Sequence, residues 1–242
     1  MVWKLSVIAA IVVVLGSALW IGGKRDVERE GHREQYLLRD RFDRADGPLG
    51  IAETGQAYTV SGAGTASIAG GRAVTNGTAY IVATLPSQPR RFGGKISFVA
   101  GKGTTAGYQS ALIISSGPNP LYVARQRMLH LSFNRGSCSM TRWNTTSGRQ
   151  GVGWDAPLAS GTSNVTFSKP VPLDGTPMDI EVTVSGVRVR AVFSVRHVTI
   201  GVMEAADPLL PSLVGNMVVW ELTATPATAA EVPRWDEFVA AR

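Results

Sequence analysis

Apolar and polar residues alternate along most of the chain beyond residue 40, in short segments separated by glycine, proline, asparagine and serine. The clearest example lies at 178–195, where the runs 180–184 and 187–191 alternate on either side of a Ser-Gly pair. A two-residue period places alternate side chains on one face of a strand, and Ser-Gly suits a tight turn. The pattern predicts a β-hairpin with one buried face.

Shorter apolar or alternating runs predict further strands. The predicted strands are 41–43, 57–60, 66–69, 79–85, 95–100, 110–115, 121–126, 128–134, 140–144, 165–168 and 216–225. A long Gly/Ser/Thr loop is expected at 145–164, and a short helix at 231–242. Roughly 200 residues of this kind suit a single all-β sandwich.

The amino terminus carries an uninterrupted apolar run of 18 residues, 5–22, between Lys4 and a Gly-Lys-Arg sequence at 23–25. This length just spans the hydrocarbon core of a bilayer as a helix. We predict an uncleaved transmembrane signal-anchor over residues 1–23, with a cleaved signal peptide as the alternative. Opposite charges at helical spacing predict a juxtamembrane helix or linker over residues 24–39.

Two indications about the orientation of this anchor conflict. Basic residues within 24–33 outnumber those before the apolar run, and the positive-inside rule would therefore keep the C-terminal side in the cytoplasm. A β-domain rich in Gly, Thr, Ser and Asn is instead typical of exported proteins. We expect the β-domain to lie outside the cytoplasm, attached to a membrane through residues 5–22.

Charge is distributed unevenly within the net charge of +6. Residues 54–154 contain no Asp or Glu but ten basic residues. These are Arg72, Arg90, Arg91, Lys95, Lys102, Arg125, Arg127, Arg135, Arg142 and Arg149. Such a field favours anionic partners, for example acidic polysaccharide, teichoic acid, nucleic acid or lipid headgroups. Arginines that only solvate the faces of a sandwich are the alternative interpretation.

The opening of the β-domain combines Asp40 and Phe42 with an Arg-Ala-Asp-Gly turn at 44–47, a Leu-Gly pair at 49–50 and a Thr-Gly pair at 54–55. This combination resembles the start of concanavalin A-like (laminin-G-like) jelly-roll domains, a lectin and glucanase superfamily found in bacterial surface and phage tail proteins. The late Val-x-Val-x-Gly hairpin fits the same pattern.

The resemblance implies an all-β, two-sheet antiparallel jelly-roll sandwich over residues 40–226, behind the transmembrane and juxtamembrane helices. A C-terminal tail would follow at 227–242. In this architecture the first and last strands are neighbours, which would place Phe42 beside the strand of Val218 and Trp220.

Glycosidase activity, as in the glucanase branch of this superfamily, would require paired carboxylates. The nearest pair, Asp179 and Glu181, lacks a third acid at the family's spacing. The central segment 95–144 contains no carboxylate at all. We therefore predict no catalytic residues.

No metal or cofactor site is predicted either, because the three histidines form no HExxH or Cys/His cluster. Many relatives of the fold bind calcium, which here would draw on Asp155, Asp174 and Asn164, a set that the sequence does not support. Cys138 is the single cysteine and has no activating neighbour, so we predict a small packing residue.

Sugar-binding sites combine an aromatic platform with polar side chains on loops or a concave face. Aromatic and basic residues of this kind occur in or next to the acid-free region. The candidate ligand-binding residues are Trp154, Trp143, Arg125, Arg127, Tyr108 and Arg142. A core position is the alternative interpretation for Trp143 and for Trp154.

These observations lead to one main hypothesis, a membrane-anchored, lectin-like and non-catalytic module that binds a glycan or an anionic surface polymer. No specific nucleic acid is expected as a partner. The first alternative is a structural β-sandwich that mediates protein contacts in a phage tail or a cell envelope. The second alternative is a glycoside hydrolase with an unrecognised acid pair.

Overall fold

Two antiparallel β-sheets build the part of the chain between residues 36 and 242 in a computed structural model of the protein. The described residues are 35–104, 110–116, 127–144, 155–224 and 228–242. The predicted membrane anchor at 5–22 and most of the charged segment, 24–34, lie outside these ranges. None of the helical segments within these ranges has the length and apolar character of a membrane span.

The strands are numbered in chain order. The first nine are β1 (Tyr36–Asp40), β2 (Gly47–Pro48), β3 (Tyr58–Ser61), β4 (Thr65–Ile68), β5 (Ala73–Thr84), β6 (Arg91–Ala100), β7 (Ser110–Ser115), β8 (Arg127–Phe133) and β9 (Ser137–Asn144). The others are β10 (Asp155–Pro157), β11 (Ser160–Gly161), β12 (Asn164–Thr166), β13 (Met178–Ser185), β14 (Arg188–Val195), β15 (Val198–Ala206), β16 (Met217–Ala224) and β17 (Glu231–Ala241). One helical turn, Leu210–Leu213, precedes β16.

Sheet I has the strand order β11-β15-β14-β13-β6-β17-β1. Sheet II has the order β3-β5-β16-β7-β8-β9, and both β10 and β12 pair with β9. The long strand β5 joins the sheets, because its beginning pairs with β4 and β17 while its remainder pairs with β3 and β16. The two-sheet antiparallel prediction is confirmed.

Apolar side chains from the facing sides of both sheets form one large buried cluster. At its centre the ring of Trp220 stacks on Phe238 with 4.2 Å between centroids, and Phe42 meets Phe238 edge-on at 4.8 Å. Trp220 belongs to sheet II and Phe238 to sheet I. The stack therefore ties the sheets together, and such aromatic pairs add about 0.5–1.5 kcal/mol beyond their buried area.

The hairpin predicted at 178–195 is confirmed. Strands β13 and β14 pair in continuous register from Met178 opposite Val195 to Ser185 opposite Arg188. Gly186 takes a φ of 57° in the turn, a left-handed conformation that glycine adopts without steric cost. The alternate apolar residues of both strands face the core, as the pattern predicted, except Val187, which lies in the turn and is 45% exposed.

The opening motif is a polar hub around the carboxylate of Asp40, which is fully buried. Its Oδ1 accepts hydrogen bonds from the backbone N–H of Phe42 at 2.9 Å and from the guanidinium of Arg44 at 2.6 Å. Its Oδ2 accepts from the Tyr58 hydroxyl at 3.0 Å, and Arg44 also donates to the Leu49 carbonyl at 2.6 Å. The motif that carries the family resemblance is therefore architectural.

The C-terminal segment corrects the sequence analysis, because Glu231–Ala241 is a strand between β1 and β6 and neither a helix nor a tail. Trp235 and Phe238 both point into the core although they are three residues apart. A register shift between Trp235 and Glu237 moves the alternation by one residue. The bulge thus gives a strand the apolar spacing of a helix.

The start of the domain also differs from its prediction. Tyr36–Asp40 is a strand, so the last residues of the predicted juxtamembrane helix belong to β1. The strand predicted at 41–43 is absent, and Phe42 there has a φ of 56°. The first and last strands are neighbours, but the last strand is β17 and not the strand of Trp220.

Most other predicted strands are present with shifted ends, and three regions need comment. No strand was predicted over Val198–Ala206, which forms β15. The expected loop at 145–164 contains the short strands β10 and β11 in its described part. The strand predicted at 121–126 lies outside the described residues.

Cys138 is buried in the main core, where burial raises the pKa of its thiol.

Candidate functional site

The candidate site is the face of sheet II that points away from the core. Strand alternation separates core side chains from outward ones, and the register aligns the outward ones in rows. One row is Ser61, Tyr80, Glu221, Ala111, Ser132, Ser139 and Asn164. The next row is Thr59, Val82, Val219, Ile113, His130 and Thr141. These rows, with Trp143, are called the outer face.

The middle of the outer face is apolar. Val82, Val219 and Ile113 are neighbours across three adjacent strands and are buried with Met128 in a small cluster separate from the main core. Half-buried aromatic and thioether side chains, Trp143 among them, pack against this cluster. The outer face therefore consists of an apolar centre with half-exposed aromatic rings and polar side chains around it.

Glu221 stands next to this apolar centre and is 8% exposed. Its Oε1 accepts a hydrogen bond from the Thr223 hydroxyl at 3.1 Å. Burial raises the pKa of Glu221 to about 7, against the smaller opposing effect of that hydrogen bond. Near neutral pH both the protonated and the ionised form of this carboxyl group are therefore populated. The group can then both donate and accept hydrogen bonds.

Trp143 lies near the opposite side of the outer face and is half-buried. Its indole Nε1 donates to the Thr141 hydroxyl at 3.3 Å, and its ring centroid lies 5.7 Å from that of His130. It packs on the small cluster and not in the main core. Its ring therefore lies on the outer face beside the small apolar cluster.

A polar groove of about 220 Å³ continues the row at the β9 edge of the outer face. Six polar residues line it, Ser132, Asn134, Ser137, Ser139, Asn164 and Thr166, together with Phe133, Cys138 and Val165. Asn134 Oδ1 is engaged in the β8–β9 turn, where it accepts from the backbone N–H of Gly136 at 2.8 Å. The groove has room for a small polar group and offers both donors and acceptors.

The structure separates the other predicted site residues from Trp143. Arg142 precedes it on β9 and points to the other side, where its guanidinium pairs with the fully buried carboxylate of Asp207 at 3.0 Å. Arg127 is exposed at the start of β8. It lies two residues before the core residue Leu129, so the two are on the same side of the strand and Arg127 does not belong to the outer face.

Trp154, Arg125 and Tyr108 lie outside the described residues. Their role in binding stays a prediction, as does that of the three described candidates.

Salt bridges in the folded domain neutralise much of the positive charge of the acid-free region, residues 54–154. Five of its ten basic residues form salt bridges with acids that come after residue 155. The pairs are Arg72–Asp236, Arg91–Glu181, Lys95–Glu237, Arg135–Glu231 and Arg142–Asp207. The one-sided field inferred from the sequence is therefore much weaker in the folded domain.

Of the three residues considered as calcium ligands, Asp155 has a side chain outside the described part of the structure, and the other two have the following surroundings. Asp174 lies 3.9 Å from Arg196 and accepts a hydrogen bond from the backbone N–H of Thr176, while Asn164 lines the polar groove. In the described part of the chain, no group of three or more His, Cys, Asp or Glu side chains is arranged to hold a metal ion.

No family model and no curated protein matches the chain, but solved structures match its fold. The exoplasmic/lumenal domain of VIP36 in its Ca²⁺-bound form aligns with a TM-score of 0.52 and 10% identity, over 86% of this chain and 90% of that one. A legume lectin-like domain from Entamoeba histolytica aligns with a TM-score of 0.50 and 9% identity, over 75% of this chain and 87% of that domain. The carbohydrate recognition domain of Emp46p aligns with a TM-score of 0.50 and 9% identity, over 75% of this chain and 86% of that domain. The chain has a concanavalin A-like jelly-roll fold.

The jelly roll explains why sequence reasoning missed Glu221. It inserts β16 between β5 and β7, so an acid from the C-terminal part of the chain lies within a sheet built largely from the acid-free region. The available signal was a single charged residue inside the apolar run 217–222. Tyr80 was missed because its place beside Glu221 depends on the same strand order.

Proposed function

We propose that the β-domain is a lectin-like, non-catalytic module that binds a glycan on the outer face of sheet II. The observation that carries the proposal is the row from Glu221 to Asn164, which is polar except for Ala111 and leads into the groove, with the half-buried ring of Trp143 on the same face. Hydroxyl and amide side chains complement sugar hydroxyls, and aromatic rings pack on the apolar faces of sugars. The occurrence of a carbohydrate recognition domain among solved structures of this fold supports this class of ligand.

A neutral glycan fits this face better than a polyanion. No basic side chain belongs to the two rows or to Trp143, apart from His130. Five of the bases that suggested an anionic polymer are held in salt bridges. The proposed ligand therefore binds through hydrogen bonds and ring contacts, and its affinity should depend little on salt.

The proposed role of Glu221 is hydrogen bonding and not acid–base catalysis. Glycoside hydrolysis uses two carboxylates, about 5–5.5 Å apart in retaining and about 6.5–9.5 Å apart in inverting enzymes. Among the side chains that the structure describes on the outer face, Glu221 is the one carboxylate. A carboxyl group whose pKa is near 7 can instead exchange hydrogen bonds with a sugar hydroxyl in either protonation state.

Binding of the full chain, held in nanodiscs, to neutral and acidic glycans at low and physiological salt tests this function. We expect salt-resistant binding to a neutral glycan. Asn164→Ala should weaken it about tenfold, since one hydrogen bond is worth about 1.4 kcal/mol. Thr199→Ala, an exposed change on sheet I, is the matched control. Trp154→Ala tests the aromatic platform predicted from the sequence.

Absence of binding to every glycan would contradict the proposal and favour the structural, protein-contacting alternative. Equal weakening by Asn164→Ala and Thr199→Ala would contradict the assignment to the outer face. Release of reducing sugar from a bound glycan would contradict the non-catalytic role.

We also propose that residues 5–22 anchor the chain in a membrane with the β-domain outside the cytoplasm. The uninterrupted apolar run supports the anchor, and the Gly-, Ser- and Thr-rich β-domain supports export. The chain should resist alkaline carbonate extraction, and external protease should reach its β-domain in intact cells. Extraction by carbonate would contradict the anchor, and protection from protease would contradict the orientation.

A further inference from the structure

The side of sheet I that points away from the core carries a groove of about 280 Å³, called the sheet I groove. The register places Arg39, Val239, Gly93 and Glu181 in one row across four adjacent strands. Gly93 has no side chain, so the row is open between its neighbours on either side. The groove therefore follows from the strand pattern, and it lies on the opposite side of the sandwich from the outer face.

Charged side chains of both signs line the sheet I groove. The row beside that of Gly93 sets Glu237 opposite Lys95 and Lys95 opposite Asp179. Three basic and three acidic residues belong to the lining, namely Arg39, Arg91, Lys95, Asp179, Glu181 and Glu237. Because the charges balance, the groove favours a ligand that carries both signs over a polyanion.

Arg39 is held at one side of the groove by two contacts. Its Nε donates to Glu237 Oε1 at 2.9 Å, and its guanidinium lies 5.0 Å from the centre of the Tyr36 ring. Glu237 is 6% exposed, and Lys95 Nζ contacts its second oxygen at 2.9 Å. Within the described residues, the two terminal amino groups of Arg39 donate no hydrogen bond. A guanidinium fixed in this way presents a planar pair of donors that suits a carboxylate.

Asp179 stands at the other side of the groove, on β13, and is half-buried. Its neighbour across the strands is Lys95, whose ammonium group is engaged by Glu237. In the part of the chain that the structure describes, the Asp179 carboxylate has neither a hydrogen bond nor an ion pair. Burial raises its pKa, against a smaller opposing effect of Lys95. A half-buried carboxylate without a donor is a ready acceptor for an ammonium group.

We propose that the sheet I groove binds a short zwitterionic peptide, with the peptide's carboxylate at Arg39 and its ammonium group at Asp179. The inference is independent of glycan binding on the outer face and of the membrane anchor. Arg39 and Asp179 lie on strands three intervals apart, about 14 Å across the sheet, and both side chains line the groove. The ends of an extended dipeptide are about 7 Å apart, so one such molecule can contact both residues. Ligand pockets begin at about 300 Å³, so the volume of the groove limits the ligand to this size.

Isothermal titration calorimetry of the full chain in nanodiscs with dialanine tests the site. We expect saturable binding through two charge-assisted contacts. Propionyl-alanine lacks the amino group and dialanine amide lacks the carboxylate, so each should bind at least tenfold more weakly. Asp179→Asn should weaken dialanine at least tenfold and leave propionyl-alanine unchanged. Arg39→Lys keeps the charge but removes the planar pair of donors, and it should weaken dialanine more than dialanine amide.

Glu204→Gln, which changes an exposed acid of sheet I outside the groove, is the control and should leave dialanine binding unchanged. The urea midpoint of Asp179→Asn should equal that of the native chain, because the carboxylate has no partner to lose. Absence of dialanine binding at about 10 mM overturns the proposal. Equal affinity for dialanine and its two analogues, or equal effects of Asp179→Asn and Glu204→Gln, overturns it as well. Loss of glycan binding in Asn164→Ala concerns the outer face and leaves this proposal standing.

Discussion

The raised pKa of Glu221 predicts a specific pH dependence of stability. The glutamate is 8% exposed on the outer face, and burial moves its pKa from the ordinary value of 4.5 to about 7. The folded state therefore binds this proton more tightly than the unfolded state. The resulting stabilisation is fully present below pH 4.5 and is lost as the pH rises through 7.

The size of the effect follows from the two pKa values. A difference of one pKa unit corresponds to about 1.4 kcal/mol, so a change from 4.5 to about 7 corresponds to about 3 kcal/mol. Glu221→Gln removes the titration and retains a similar shape. Relative to this variant, the native chain should lose about 3 kcal/mol of unfolding free energy between pH 4 and pH 8.

Urea unfolding of both proteins at several pH values measures this difference directly. The relevant quantity is the change in unfolding free energy between the native chain and Glu221→Gln, because contributions of all other groups cancel. Glu204→Gln, at an exposed glutamate of sheet I, is the control. If the difference in unfolding free energy between the native chain and Glu221→Gln stays constant from pH 4 to pH 8, the reasoning about the burial of Glu221 is refuted.

Three further substitutions test the architecture. Asp40→Ala leaves its buried hydrogen-bond donors without an acceptor and should cost about 3 kcal/mol in urea unfolding; an unchanged midpoint would contradict the hub. Gly93→Ala places a Cβ against the carbonyl oxygen of Ile180, so little soluble protein is expected; a cooperatively folding variant would show that the strand can shift. Arg142→Ala leaves the buried Asp207 carboxylate without its arginine partner, and it should lower the free energy of unfolding by about 3 kcal/mol without changing glycan affinity. Weaker glycan binding at unchanged stability would instead identify Arg142 as a ligand contact.

Several elements were predictable because their information is local. The β13–β14 hairpin follows from strict alternation about a glycine turn, and β7 from a short apolar run that is buried along its whole length. The opening motif around Asp40 was also visible in the sequence, since its partners Phe42 and Arg44 lie within four residues. In each case a residue's neighbours in the sequence are also its neighbours in space.

Other elements were hidden by local irregularities. The bulge in β17 places Trp235 and Phe238 on one face at helical spacing, and this made a strand look like a helix. Trp143 and Arg142 are adjacent in the sequence but point to opposite sides of β9, so they cannot form one contact patch on the outer face. A composition-based grouping of site residues does not distinguish the two faces of a strand.

The sequence by itself determined most of the strands of regular alternation, the position of the main turn and the resemblance that the domain bears, because a two-residue alternation and turn chemistry are properties of neighbouring residues. The strands β15 and β17 were not predicted from it. The tertiary structure decided which strands lie side by side. It placed Glu221 between strands from the acid-free region and paired Arg39 with Glu237 across 198 positions. Strand order and charge pairing depend on contacts between distant residues, and a one-dimensional pattern does not contain them.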